Sequence, residues 1–459
     1  MKSFIAFACT ISVLAGCATL SPEQSFSPVA SLAKTHFNAE LARNPAPDIS
    51  ARVNALLAAP LTAEGAMQIA LLNNRGLQAA FAELGVAEAD YADAGRMPNP
   101  GFTFARLKRG EEIEIDRGLH FAVGSLLTLP LRSSMEARRF AETQARLQID
   151  VVNLAVAARK AYFHALAASE TVRYRRQVKE VADMSATLAQ RMRDAGNWSK
   201  LAELRQQGFQ SDADVSVTRA ELDAVRSREK LARLLGVESV RITLPERLPD
   251  LPDAPRAARE IDEAALTQRL DIAAQKRALE ATAANLGLVR RTRFINAFEI
   301  GPVHNSANFE APQRGYEIAI EIPLWNWGDA KVARAEATYL AAAHRVAQTG
   351  MEALSEVREA QAAYRASYDI ARKYREEIVP AKKRIAEESL KRYNGMLSGV
   401  FDLLADARAQ ITSVNTGIDA LRDFWLADAD LQMAMLTKPA SNAAPAAGNM
   451  AGAENASAH

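Results

Sequence analysis

The chain has 459 residues, a formal net charge of +1, 49% hydrophobic residues and only 6% aromatics. A near-neutral chain gives no argument for nucleic acid, and apolar content carried largely by alanine suits closely packed long helices better than a thick globular interior. After the first 20 residues no stretch approaches 18 consecutive apolar residues; this excludes a transmembrane helix, so any membrane crossing must use β-strands.

Lys2 and the apolar run Phe4–Leu14 read as the n- and h-regions of a secretory signal over residues 1–16. The run ends in Leu14-Ala15-Gly16-Cys17, small residues before a cysteine that match a bacterial lipobox. Cleavage before Cys17 would be followed by acylation of its thiol and its new amino group, palmitate-type chemistry that anchors at roughly 0.8 kcal/mol per buried CH₂. The alternative is an ordinary signal peptide with an incidental Cys17. Ala18, rather than an aspartate, favours sorting to the outer membrane of a Gram-negative host. Cys9 lies in the signal, so the mature chain keeps one cysteine and forms no internal disulfide.

Residues 17–60, with weak periodicity, read as a linker from the lipid anchor. A first repeat then spans 61–243. It opens with a helix from Leu61 to Met97, stopped by Pro98-Asn99-Pro100. A β-hairpin is expected over 102–129, with strands Phe102–Leu107 and Leu119–Leu129 around a charged loop, Lys108–Arg117. A helical hairpin over 133–236 follows, broken at Ala195-Gly196-Asn197 and ended by Gly236. The Pro-rich stretch Leu244–Pro255 lies in a linker, 244–260.

The second repeat, 261–437, follows the same plan. A helix from Ile261 to Arg291 leads to a hairpin over 293–322 with strands Arg293–Val303 and Gly315–Ile322. The long helix Asp329–Tyr393 breaks at Asn394-Gly395 and returns as Val400–Leu436, a helical hairpin over 329–436. Residues 438–459 are low-complexity and expected to be disordered. Matched landmarks keep an offset of about 193 to 200 residues, which indicates duplication.

The long helices carry apolar residues spaced alternately by three and four. These are Leu147, Val151, Leu154, Ala158, Ala161, Ala165, Ala168 and Val172 in the first, and Ala353, Val357, Ala360, Tyr364, Ser367, Ala371 and Tyr374 in the second. The final helix repeats it at Ala407, Ile411, Val414, Ile418, Leu421 and Trp425. A sustained 3.5-residue repeat is a coiled-coil seam, and about 65 helical residues reach roughly 100 Å. In the last strand Tyr316, Ile318, Ile320 and Ile322 alternate with Glu317, Ala319 and Glu321, the apolar-out, polar-in pattern of a membrane barrel. A half-buried strand of a soluble sheet has the same alternation. Trp325 and Trp327 follow, where an interfacial aromatic belt would lie, with core packing as the alternative. Pro130 and Pro323 are expected to mark strand exit, and Pro98 and Pro100 strand entry. Four strands cannot close a barrel, so copies of the chain must combine; three would supply twelve strands.

Taken together, these features resemble the TolC-type outer-membrane efflux family, in its lipoprotein branch, over about residues 60–437. The resemblance rests on the duplication, on Ile322-Pro323-Leu324-Trp325-Asn326-Trp327-Gly328, on Pro98-Asn99-Pro100 and on two helical turns. One turn runs from Arg191 through Gly196 and Ser199 to Glu203; the other from Arg392 through Gly395 and Ser398 to Asp402. The fold class implied is mainly α with membrane β: a homotrimer whose twelve-stranded β-barrel in the outer membrane continues into a twelve-helix tunnel. Its implied partners are a periplasmic adaptor, an inner-membrane pump and outer-membrane lipid. Tyr393-Asn394-Gly395-Met396 and Val400-Phe401-Asp402-Leu403-Leu404 lean towards the heavy-metal efflux branch. Two positions depart from the family pattern: Leu131-Arg132-Ser133-Ser134 lacks the usual aromatic and glycine, and Met396 stands where a glycine is usual.

The family closes its tunnel with carboxylate and arginine contacts. That implies a periplasmic gate at Asp402 and Asp406, with Glu203 as the first-repeat equivalent of Asp402. A solvated helix start explains Asp402 equally well. The six histidines form no ligand pair, and neither a catalytic constellation nor a phosphate loop stands out, so no cofactor, metal site or enzymatic activity is expected. A lipid-anchored periplasmic adaptor is the alternative, although adaptors usually carry one helical hairpin. A lipid-anchored cell-wall enzyme is the third reading, disfavoured by the missing catalytic set.

Overall fold

The structure is a computed structural model that describes residues 22–43, 47–97, 99–256, 269–292, 298–320 and 327–438. Cys17, Pro98 and Pro323 lie outside the described residues, as do the expected signal segment and nearly all of the expected tail. The chain divides into two compact units. One contains the described residues up to Val151 together with 232–243 and 269–352; the other contains 152–231, 244–256 and 353–438.

The first unit opens with helices α1 (Pro22–Phe37) and α2 (Pro47–Leu57), where a linker was expected. Val29, Ala33 and Phe37 are buried at a four-residue spacing, and so are Ile49, Val53 and Leu57. This spacing gives each short helix one apolar stripe to bury. Phe26 meets Phe81 edge-on at 5.1 Å, and Gln144 donates a hydrogen bond to the Ser25 carbonyl at 2.7 Å.

The single helix expected over 61–97 is two, α3 (Ala63–Asn73) and α4 (Arg75–Ala94). Asn74 divides them. Its backbone N–H caps α3 by donating to Ala70, and its side-chain Oδ1 caps α4 by accepting from Leu77 N–H at 3.1 Å. Its Nδ2 donates to the Leu234 carbonyl at 3.0 Å. An asparagine can serve both ends because its side chain both accepts and donates.

Strands β1 (Gly101–Arg109) and β2 (Glu112–His120) form the first hairpin, and α5 (Val123–Asp194) follows directly. Two expectations are corrected here. The charged stretch 112–117 is strand, because Glu112, Glu114 and Asp116 alternate with Ile113 and Ile115 on the two faces. The connection is a two-residue turn with Gly110 at φ +63°, the backbone a tight hairpin demands. The apolar run before Pro130 is helix, so Pro130 lies inside α5 and does not mark a strand exit. A short continuous apolar run carries no periodicity to separate strand from buried helix.

Helix α6 (Lys200–Leu235) returns from α5, and α7 (Leu270–Thr292) precedes β3 (Phe298–Ala307) and β4 (Gln313–Ile320). The four strands form one antiparallel sheet in chain order, so the hairpins lie side by side through β2 and β3. Asn308, beyond β3, donates to the Glu111 carbonyl at 2.8 Å and accepts from Ile113 N–H at 2.9 Å. One hairpin's loop thus holds the other's turn.

Helix α8 (Asp329–Lys373) passes through a π turn (Tyr374–Ile378) into α9 (Val379–Asn394), and α10 (Val400–Leu436) completes the chain. The π turn interrupts the continuous helix that was expected. Pro380 explains it: proline has no N–H and its ring collides with the carbonyl four residues back, so the chain widens locally.

In the second unit the heptad seam is buried at Ala158, Ala161, Ala165 and Val172, and again at Val357, Tyr364, Ala371 and Ile418. Tyr364, Tyr368, Phe424 and Leu431 form its core with Leu251. The inter-repeat stretch is therefore packed rather than loose. Tyr368 Oη donates to the carbonyls of Pro252 and Asp253 at 3.1 and 3.0 Å, and Trp425 Nε1 donates to that of Pro249 at 3.0 Å.

Beside this core, burial pushes the His164 imidazole below its ordinary pKa, helped by the cations Arg422, Lys230 and Lys160 and opposed by Asp423. The depressed folded value means that the unfolded chain takes up the proton first. Stability is then fully present above about pH 6.5, falls as pH drops below that value, and levels off below the folded pKa. Urea midpoints at pH 8 and pH 5 should move further apart for the natural chain than for His164→Asn.

Candidate functional site

The sheet has two chemically distinct faces. Register places Phe102, Phe104, Ile113, Ile115, Leu119, Ile300, Pro302, Tyr316 and Ile318 on one face. The other face carries Glu112, Glu114, Asp116 and Glu317 among small residues: Ala105, Gly118, Gly301 and Gly315. The apolar side chains are not covered within the chain; Tyr316 is 77% exposed and Phe102 67%. An apolar face left open beside an acidic one is the arrangement of a wall between hydrocarbon and water. Strands β1 and β4 are the sheet's edges. Pro100 sits immediately before β1.

The two turns that join the long helices, at 195–199 and 395–399, share one backbone plan. In the first, Asn197 N–H bonds to Met192 and Gly196 N–H to Arg193, with Gly196 at φ +78°. In the second, Leu397 N–H bonds to Arg392 and Met396 N–H to Tyr393. Both are helix ends closed by a left-handed residue, normally glycine. In the second turn that residue is Met396, at φ +57° and 94% exposed, whereas Gly395 has an ordinary negative φ of −81°. Held this way, Met396 carries a strain of about 1–2 kcal/mol.

The following caps differ. Ser199 Oγ accepts from Ala202 N–H at 3.2 Å, a conventional N-cap. Ser398 Oγ is buried without a hydrogen-bond partner, and Asp402 instead accepts from Gly399 N–H at 3.3 Å. Helix ends match at an offset of 200, Asp194 with Asn394 and Lys200 with Val400. On that offset Glu203 pairs with Leu403 and Asp402 with Ala202. The equivalence expected of Glu203 and Asp402 is therefore corrected, since one residue along a helix turns a side chain by about 100°.

Their surroundings differ accordingly. Glu203 is only 3% exposed; it pairs with Lys200 at 2.7 Å and Arg193 at 3.3 Å and accepts from Gln207 at 3.2 Å. Asp406 accepts from Ser389 Oγ, while Asp402 is exposed. The Lys200–Glu203 spacing was readable in the sequence, but the contribution of Arg193 from across the turn was not. Among the described residues no group of three or more metal-ligating side chains converges, and no helix is long and apolar enough to cross a membrane.

No protein-family model matches the sequence, and no curated protein matches it either. Solved structures do. A membrane protein from Pseudomonas aeruginosa superposes with a TM-score of 0.70 at 19% identity, covering 81% of this chain and 93% of its own. The Campylobacter jejuni CmeC outer membrane channel gives 0.68 at 15% identity, over 86% of this chain and 88% of its own. The Neisseria gonorrhoeae MtrE outer membrane channel, in its open state, gives 0.66 at 18% identity, over 84% and 88%. The structural neighbours are TolC-family outer-membrane channels, and this chain has their fold.

Proposed function

We propose that the protein is the outer-membrane channel of a tripartite efflux system, a passive duct from a periplasmic adaptor and an inner-membrane pump to the exterior. The observation that carries this reading is the four-stranded sheet, apolar on one face and acidic on the other, joined to long paired helices. The edges β1 and β4 need partners, and identical copies supply them. Three copies would close twelve strands into a barrel and bring twelve helices into a tunnel. Lipidation at Cys17 would anchor the N-terminus to the same membrane. Energy would come from the pump, and the duct itself would carry out no chemistry.

The cargo proposed is metal ions or small toxicants, on the resemblance of the second turn to the heavy-metal branch. At the periplasmic end we assign the gate to three carboxylates, Asp402, Asp406 and Glu203, of which Asp402 would form a ring in the trimer. Asp402 is exposed and would face its symmetry mates in a trimer, while Asp406 and Glu203, held by Ser389 and by Lys200 and Arg193, would brace the turns within each chain. Carboxylate rings at a constriction favour cations.

The reading is tested by membrane fractionation and by conductance of the reconstituted protein. A heat-modifiable trimer should appear in outer-membrane fractions, and Asp402→Ala should raise open probability and lower cation selectivity. Recovery with the inner membrane would instead favour the adaptor reading. Unchanged conductance in Asp402→Ala would remove that residue from the gate.

A further inference from the structure

The apolar face of the sheet also carries cations, and the register groups them. Phe104 lies opposite Arg117, Arg117 opposite His304, and His304 opposite Arg314, so one rung across all four strands holds two arginines and a histidine. Towards the helices the next rungs are apolar, with Phe102, Leu119, Pro302 and Tyr316, then Phe121, Ile300 and Ile318. Towards the hairpin turns come Arg106 and Lys108. Among the described residues no carboxylate shares this face, because Glu112, Glu114, Asp116 and Glu317 all fall on the other.

Cations on adjacent strands of one face repel each other, and among the described residues no carboxylate on that face offsets them. Arginine is costly at the centre of a bilayer and tolerated at its interface. The rung therefore belongs at headgroup level, about 13 Å along the strands from the Ile300 rung. Arg117, His304 and Arg314 converge there with Phe102 and Leu119 on a groove of about 470 Å³. The groove is cationic towards the hairpin turns and apolar towards the helices. Its polarity matches a molecule with a phosphate at one end and an acyl chain at the other, and the planar guanidinium fork suits phosphate oxygens.

We infer that this groove binds a phosphorylated acyl lipid of the outer leaflet. The phosphate lies between Arg117 and Arg314, and an acyl chain lies against Phe102, Leu119 and Pro302. The inference rests on the channel reading, in which this face meets lipid and the hairpin turns point outward.

The test uses the full chain purified in detergent, with native mass spectrometry to read retained lipid. The probes are a diphosphorylated glycolipid, its enzymatically dephosphorylated form, and inorganic phosphate as competitor. The natural protein should retain the phosphorylated lipid at least about tenfold more strongly than the dephosphorylated one. Arg117→Gln/Arg314→Gln should lose that preference, and Glu317→Gln, on the opposite face, should keep it. Equal retention of the two lipids by the natural protein would overturn the inference without needing any variant to fold. Full displacement by millimolar inorganic phosphate would also overturn it, by showing a free-anion site. Absence from outer-membrane fractions would defeat the channel reading itself, whereas outer-membrane protein without lipid preference defeats only this inference.

Discussion

Asp428→Ala is expected to lower unfolding stability by about 3–5 kcal/mol, the loss typical when one partner of a buried ion pair is removed. Asp428 is 3% exposed in α10. Its carboxylate meets Arg159 Nη2 at 2.9 Å and Arg256 Nη2 at 3.0 Å, and Arg159 Nη1 also donates to Gln432 at 2.7 Å. Arg159 is itself mostly buried, with its guanidinium 5.9 Å from the Phe163 ring centroid, and Phe163 stacks on Trp425 at 5.2 Å. Removing the carboxylate leaves a desolvated guanidinium with only a neutral acceptor. Arg256, half exposed, recovers water and contributes less to the loss.

Urea unfolding followed by helical circular dichroism measures the effect. Asp428→Asn should lose less, because the amide oxygen still accepts a hydrogen bond. The pair Arg159→Met with Asp428→Leu should recover most of the stability, since an apolar pair carries no desolvation penalty. A small loss in Asp428→Ala, within the range of an ordinary surface substitution, would show that the pair is not a fixed part of the core.

The second large effect is expected at Gly301, where the two hairpins meet. A Cβ added there would lie 2.2 Å from the Leu119 carbonyl oxygen and 3.1 Å from its carbon. These are backbone atoms, so no side chain can swing aside, and β2 and β3 must separate. Gly301→Ala should destabilise the sheet by about 3 kcal/mol, at the upper end of ordinary overpacking. On the channel reading, the variant should also fail to form the proposed heat-modifiable trimer. Gly315→Ala is the control: the same chemistry in β4, with open space around the added carbon and an effect within about 0.5 kcal/mol. Equal behaviour of the two variants would refute the proposed seam.

How much was legible beforehand differs by element. The helical hairpin of the second repeat is the most legible part, although β3 runs Phe298–Ala307 rather than 293–303 and a π turn interrupts the long helix. Val400–Leu436 and the start of the long helix at Asp329 fall where expected, because capping residues, breaks and apolar spacing agree there. The first hairpin was misplaced because its strands carry their charges in alternation, which reads as a polar loop unless the intervening isoleucines are counted. Residues 22–57 were read as linker although Val29-Ala33-Phe37 and Ile49-Val53-Leu57 already held helical spacing; each stripe is too short to stand out by itself. The candidate gate was only half legible. Asp402 falls at the start of α10 as predicted, but the buried pairing of Glu203 depends on Arg193, which lies on the other side of a turn.

By itself the sequence pointed to a duplication and determined the long helices, the positions of their turns and the two-faced last strand. Each of these follows from local periodicity and from backbone restrictions at glycine and proline. Tertiary structure alone decided that β2 pairs with β3, which puts Arg117, His304 and Arg314 on one rung. It also brought Arg159 and Arg256 to Asp428 and packed the inter-repeat stretch against Tyr368 and Trp425. The physical reason is distance along the chain: these contacts join residues far apart in sequence, and local propensity carries no information about such partners.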